Sequence, residues 1–367
     1  MAVAKTEEIT EYLKVLVEKG KNYRNATVSG ALIGQSGTGK SSLINAFIGE
    51  NICDTGTVET TLEKSGPFSK NGVSFYDLPG CGTTKFPREE YVEKMGLATF
   101  DFLVLVTANR FYENDLFLIQ EVLKLGKPIF IVRAKIDQSI EDGKHNSPKK
   151  SEYETISECL YDLEQYLTQV KHHGVYLISS RQPTKFDLGK LITKISENLT
   201  ELKKDKFIAE AFVANEEILI RKRGVAKKLV LWVSAGLGVN GLNPIPGVDI
   251  AVDLAILMKM NKEILKLYGL DEESINFLER HGFKATILSS IKAFAQKYLS
   301  KELILIALKR YAPLIAVKTI TKYIPGIGQI TAVVSGFALS VYFGNNMIDD
   351  CEAEAKVIME EFTNTSV

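Results

Sequence analysis

The stretch ALIGQSGTGKSSLINAF, residues 31–47, constrains the fold more than any other part of the chain. An apolar run ends at Gly34, two more glycines follow at 37 and 39, and Lys40, Ser41 and Ser42 open an amphipathic segment. That order reads as a strand, a loop whose bare backbone can approach a phosphate, and a helix with a partly positive N-terminus. Gly34, Gln35, Ser36, Gly37, Thr38 and Gly39 would turn their amides around a β-phosphate. Lys40 would bridge the β- and γ-phosphates, the Ser41 hydroxyl would ligate Mg²⁺, and Ser42 adjoins them in the nucleotide-binding set.

A strand–loop–helix of this kind opens an α/β fold, and the following sequence continues the pattern. Apolar runs at 28–34, 73–78, 102–108, 128–134 and 175–180 alternate with helical segments such as SSLINAFIG and NDLFLIQEVLKLG, after a first helix at 7–19. Strands this rich in Val, Ile, Leu and Phe predict a parallel sheet covered on both faces. Beyond about residue 190 the strands give way to long periodic segments, 190–220, 248–269 and 283–311. The expected organisation is an N-terminal helical segment (1–24), an α/β domain built on the phosphate loop (25–190) and a helical domain (191–367). NPIPGVDIAVDLAIL (243–257) and YIPGIGQITAVVSG (323–336) share a Pro-Gly turn before an apolar helix, a faint sign of duplication.

The formal net charge is zero, so no global field draws the chain to nucleic acid, and RKRGVAKK (221–228) reads as a solvated helix face. Cys53, Cys81, Cys159 and Cys351 form neither a zinc spacing nor a CxxC pair, and no signal peptide is legible. A reducing intracellular compartment is expected, and Ala2 in place of Gly leaves no N-myristoylation acceptor. Two uncharged stretches bear on membranes. Residues 229–248 are interrupted by Pro, Asn and Gly, and the continuous apolar part of 323–348, Ile330 to Phe343, is shorter than the roughly 20 residues of a span. A buried core helix is the expectation for the second, ahead of a membrane-touching one.

Further motifs complete the phosphate loop. Asp77, at the end of VSFYDL and 37 residues past Lys40, would hold the Mg²⁺ shell, and the Gly80 amide would sense the γ-phosphate. In IFIVRAKID, Asp137 can accept from both N1–H and the 2-amino group of guanine, which adenine does not offer. The Lys135 stem would lie over the purine face, and a backbone amide at Ser179-Ser180 would meet the guanine O6. Ala134 stands where Asn or Thr usually braces this loop. Between the motifs, DTGTVETTLEK (54–64) is the expected mobile switch, offering Thr55, Thr57, Thr60 and Thr61 as Mg²⁺ or γ-phosphate contacts. No glutamine follows Asp77-Leu78-Pro79-Gly80; the chain reads Cys81-Gly82-Thr83-Thr84.

Across nearly its whole length the chain resembles the immunity-related (interferon-inducible) GTPases. The likeness rests on GQSGTGKSSLINAF, TGTVETT, FYDLPGCGTTKFPREEYVEKM, ANRFYENDLFLIQEV and, most diagnostically, GLNPIPGVDIAVD. The resemblance implies a Ras-like α/β P-loop G domain and an all-helical domain built from the N-terminal helix and a C-terminal bundle. It implies GTP/GDP and Mg²⁺ as ligands, Lys40 in the GKS form, and Thr55, Glu59 and Thr61 as switch residues needed for hydrolysis, with Thr61 also at the metal. It further implies dynamin-like pairing of G domain with G domain on intracellular membranes, Glu59 acting near the γ-phosphate, in cell-autonomous defence. The chain would be cytoplasmic and peripherally membrane-associated, through 323–348, through 221–228 or through a modified cysteine such as Cys351. The competing reading is a monomeric GTP-controlled switch that docks a separate effector; a third is a nucleotide-binding scaffold that barely hydrolyses.

Overall fold

A computed structural model of the chain describes residues 2–54, 65–168, 170–240, 249–318 and 332–365. The expected switch residues Thr55, Thr57, Glu59, Thr60 and Thr61 lie outside them, as do the NPIPG turn and residues 323–331. The chain divides into two compact units, one of Thr27–Ile218 with Met359–Val367, the other of Met1–Ala26 with Leu219–Ile358.

Among the described residues of the first unit six strands form one sheet: β1 (Val28–Ile33), β2 (Ser65–Lys70), β3 (Val73–Asp77), β4 (Phe102–Thr107), β5 (Ile129–Arg133) and β6 (Val175–Leu177), in the order β2-β3-β1-β4-β5-β6. Five of them correspond to the apolar runs of the sequence. The sheet is mixed rather than parallel, because β2 pairs antiparallel with β3 and carries a register shift between Ser65 and Phe68. SGPFSK has no strand periodicity, and its proline is tolerated because the strand lies at the sheet edge.

Both faces of the central strands are covered, which explains their unbroken apolar runs. Ala31, Ile33, Leu103, Leu105, Ile129 and Ile131 join one core with Tyr91, Leu118, Ile119 and Leu163. These last four belong to α3 (Arg88–Met95), α4 (Glu113–Lys124) and α6 (Glu152–Leu167). On the other face an aromatic cluster forms: Phe47 of α2 (Lys40–Ile48) stacks on Phe75 at 5.3 Å, and Phe102 meets Phe207 edge-on at 5.5 Å. The remaining helices of this unit are α5 (Ile136–Asn146), α7 (Leu188–Glu197) and α8 (Glu201–Glu210). Because α8 carries Phe207 onto the sheet, this unit runs to Ile218, past the boundary near 190 suggested by the end of the strands.

The second unit is helical: α1 (Ala2–Asn25), α9 (Glu216–Asn240), α10 (Asp249–Leu267), α11 (Glu272–Arg280), α12 (Ala285–Leu299), α13 (Lys301–Lys318) and α14 (Ala332–Thr365). The first helix is longer than the expected 7–19, and the long periodic segments are broken at Asn198 and at Ser300. The 221–228 run is not a plain solvated face. Lys222 is buried, its Nζ donating to the Leu267 carbonyl at the end of α10 at 2.5 Å, and Arg223 is paired with Asp349 and Glu352. On α14 the apolar residues Phe337, Val341, Met347 and Ile348 are buried. Cys351 beside them is buried too, and burial pushes its thiol pKa up, so this cysteine is not presented for modification in the fold described. Among the described residues no helix is long and apolar enough to cross a membrane.

Candidate functional site

The parallel register of β1 and β3 sets Leu32 beside Asp77, so the end of β3 and the loop leaving β1 meet at the same end of the sheet. Gly34 turns that loop with φ +128°, and a Cβ there would lie 2.2 Å from the Val106 carbonyl oxygen of β4, so only glycine fits. Residues 34–39 then lead into α2, whose first residue is Lys40. Thr38 Oγ1 donates to the Gln35 carbonyl at 2.9 Å and stiffens the loop from within.

Lys40 is only 3% exposed. Its Nζ donates to the carbonyls of Gly34 and Gln35, at 3.2 and 3.1 Å, and lies 3.6 Å from Asp77 Oδ1. Burial pushes its pKa down, while Asp77 and, more weakly, Asp115 oppose that shift. The Ser41 hydroxyl donates to Asp77 Oδ2 at 2.5 Å. A hydroxyl and a carboxylate oxygen in contact at a helix N-terminus are the hard donors a Mg²⁺ ion accepts beside a phosphate. Among the described residues no group of three His, Cys, Asp or Glu side chains is placed to hold a metal ion.

The segment expected to read the base approaches the same loop from β5. Ala134 has no side chain to brace it, and its backbone is held instead by donation to the Thr107 carbonyl at 2.8 Å. Lys135 takes a left-handed conformation (φ 58°) at the start of α5 and reaches back to donate to the Gly37 carbonyl at 2.8 Å. Asp137 is 10% exposed, with an Arg181 guanidinium nitrogen 3.9 Å away. Ser179 is buried and its hydroxyl accepts from the amides of Arg181 and Gln182, so this side chain shapes the turn that carries Ser180. The β5–β6 pairing and the Ile136 amide bonded to the Ile178 carbonyl bring the two segments together.

Sequence reasoning passed over Asp115. It is 1% exposed, caps α4 by accepting from the Tyr112 amide at 2.9 Å, and desolvation raises its pKa to about 6. Its charge is felt by both Lys40 and Cys81, which places a second carboxylate near the phosphate lysine. In the sequence it read as an ordinary acid at a helix start. Arg181 escaped for a similar reason: nothing local marks an exposed arginine.

A phosphate-cradling loop from β1, a carboxylate at the end of β3 and a guanine-type carboxylate after β5 define a P-loop GTPase with a G domain. A sequence model of the family described as Interferon-inducible GTPase (IIGP) matches residues 1–362, and the chain belongs to that family. Its relatives include mouse Interferon-gamma-inducible GTPase 10, 27% identical over 369 residues and covering 96% of this chain and 86% of that protein. Mouse Interferon-inducible GTPase 1 is 27% identical, with 75% of this chain and 72% of that one covered. Cattle Interferon-inducible GTPase 5 is 30% identical over 70% of this chain and 58% of its own length. The protein is therefore a GTPase of the immunity-related group, binding GTP and GDP.

Proposed function

We propose that this GTPase couples hydrolysis to pairing of two G domains and self-assembles in the GTP state at intracellular membranes, in cell-autonomous defence. The observation that carries the reading is the turn after Asp77. It holds Cys81, Gly82, Thr83 and Thr84 where a water-orienting glutamine would stand, and Asp115, whose charge acts on Lys40 and Cys81, is buried in the protein. Pairing that brings Glu59 to act near the γ-phosphate would make turnover depend on assembly.

The residues divide the work as follows. Gly34, Gln35, Ser36, Gly37, Thr38 and Gly39 bind the phosphates through backbone amides, with Ser42 in the first turn of α2. Lys40, released from the Gly34 and Gln35 carbonyls, moves onto the phosphate oxygens and stabilises charge developing there. Ser41 and Asp77, with Thr61, would hold Mg²⁺, which when bound neutralises phosphate charge. Thr55 and Thr61 close the switch on the γ-phosphate, sensed also by the Gly80 amide. Asp137 reads guanine, Lys135 covers the base, and Ser179 and Ser180 set the turn at the base edge. Peripheral membrane contact falls to the helical unit.

The test is sedimentation velocity with GDP and with a non-hydrolysable GTP analogue. The reading expects dimers or larger species with the analogue alone, lost in Lys40→Ala. A monomer in both states contradicts it.

A further inference from the structure

The turn that carries Gly80 is gripped by side chains on its carbonyl side. Tyr91 of α3 is fully buried, and its hydroxyl donates to the Pro79 carbonyl at 2.6 Å. The Cys81 carbonyl accepts from Asn114 Nδ2 at 2.9 Å and from Gln35 Nε2 at 3.4 Å. Asn114 is itself oriented from α3, because Arg88 Nε donates to its Oδ1. Arginine only donates and a carbonyl only accepts, so the chemistry allows one orientation of that carboxamide.

Peptide planarity turns these bonds into a direction. In a trans peptide the C=O and the following N–H point opposite ways. Holding the Pro79 carbonyl toward Tyr91 therefore aims the Gly80 amide away from α3, and holding the Cys81 carbonyl fixes the next plane but one. The turn contains glycines at 80 and 82, and Gly82 has φ +80°. Such a backbone keeps one conformation only if something outside it does the holding. A Cβ on Gly82 would lie 2.2 Å from Asn114 Nδ2, so the asparagine occupies space that a side chain there would need. The Tyr91 ring is locked in turn by the core it shares with Leu78, Phe86, Met95 and Leu97.

We propose that Tyr91 is a positioning residue for hydrolysis: it aims the Gly80 amide at the terminal phosphate, and Asn114, set by Arg88, is its second support. This rests on the reading of Gly80 as the γ-phosphate contact. A donor placed before the nucleotide binds needs no rearrangement as charge develops, and a small misalignment is costly in rate. Tyr91 and Asn114 lie outside the loop assigned to the α- and β-phosphates, so their hold on the turn should act on triphosphate and not on diphosphate.

The experiment uses [¹⁵N]glycine-labelled full-length protein, as wild type, Tyr91→Phe and the isosteric Asn114→Asp. The Gly80 amide resonance is followed with GDP and with a non-hydrolysable GTP analogue, alongside kcat and GDP affinity. In wild type the resonance should shift with the analogue and not with GDP. Tyr91→Phe, which keeps the ring and its packing, should blunt that shift and lower kcat by roughly tenfold to a hundredfold, with GDP affinity held within about twofold. Asn114→Asp keeps its size and its Arg88 partner but loses the donor to Cys81, and should change both readouts in the same direction. An unchanged kcat and Gly80 shift in Tyr91→Phe, or equal loss of GDP and analogue binding, overturns the proposal. A wild-type Gly80 resonance indifferent to the analogue overturns the γ-phosphate reading itself, and the proposal with it.

Discussion

Lys135 Nζ donates to the carbonyl oxygen of Gly37 at 2.8 Å, joining the base-reading and phosphate-binding motifs across 98 residues of sequence. Its stem also passes the P-loop at Gly39, where a Cβ would lie 3.7 Å from Lys135 Cε. One side chain thus ties together the two halves of the nucleotide site. Lys135→Met keeps the apolar stem and loses the bond. GTP and GDP affinity should both fall, by about three- to tenfold for one exposed charged hydrogen bond, with kcat at saturation little changed. Titration with a fluorescent GDP and GTP analogue checks this; a loss confined to GTP would contradict it.

Asp137 is half of a specificity prediction. Asn in its place would offer a donor where guanine also presents one, and would suit xanthine, which presents a carbonyl at that position. Asp137→Asn should weaken GTP by at least about a hundredfold relative to XTP, since unmatched polar groups in a closed site are costly. Competition binding with the two nucleotides decides the matter, and an unaltered preference for GTP would remove Asp137 from the base pocket.

Asp115 predicts a pH signature in stability. Burial raises its pKa from 3.8 to about 6 in the fold, against the pull of Lys40 in the other direction. Well below pH 3.8 the carboxyl is neutral in both folded and unfolded chains. As pH rises toward 6 the unfolded chain ionises first and the native chain bears the cost of a buried charge. Relative to Asp115→Asn, wild-type stability should therefore fall between about pH 4 and 6.5, by on the order of 2–3 kcal/mol. Denaturant melts of both proteins across that range test it; a constant difference would contradict it.

Glu50 and Lys70 bracket the switch in sequence and pair at 2.7 Å, with side chains 9% and 7% exposed. Removing one member takes the partner charge of this ion pair away from a buried group. Glu50→Gln should destabilise the sheet-bearing unit by about 3 kcal/mol or more, while GDP affinity in the still-folded protein stays near wild type. A variant as stable as wild type would mean that Lys70 is satisfied by its other neighbours.

The candidate site is legible where chemistry demands particular residues in series, the glycines and Lys40 of the P-loop and Asp77 at a strand end, which the fold brings together; Asp137 after an apolar strand is the expected guanine contact. Residue spacing along one segment carries that information. It does not carry contacts made through space. Asn114 and Asp115 look like ordinary helix-start residues until the turn at Gly80–Gly82 is folded against them. Lys222 reads as one of several basic residues until α10 ends at its ammonium. Strand β2 was missed because SGPFSK owes its pairing to β3 and not to any propensity of its own. The breaks at Asn198 and Ser300 interrupt apolar periodicities that run on without a proline or glycine to mark them.

The most direct test of assembly-coupled hydrolysis is GTP turnover per molecule over a wide range of protein concentration, for wild type, Glu59→Ala and Lys40→Ala, with ATP as control. Pairing of G domains requires a specific rate that climbs with concentration, collapses in Glu59→Ala at unchanged nucleotide affinity, and is absent in Lys40→Ala and with ATP. A flat specific rate indifferent to Glu59 would contradict it and leave a monomeric switch that docks a separate effector.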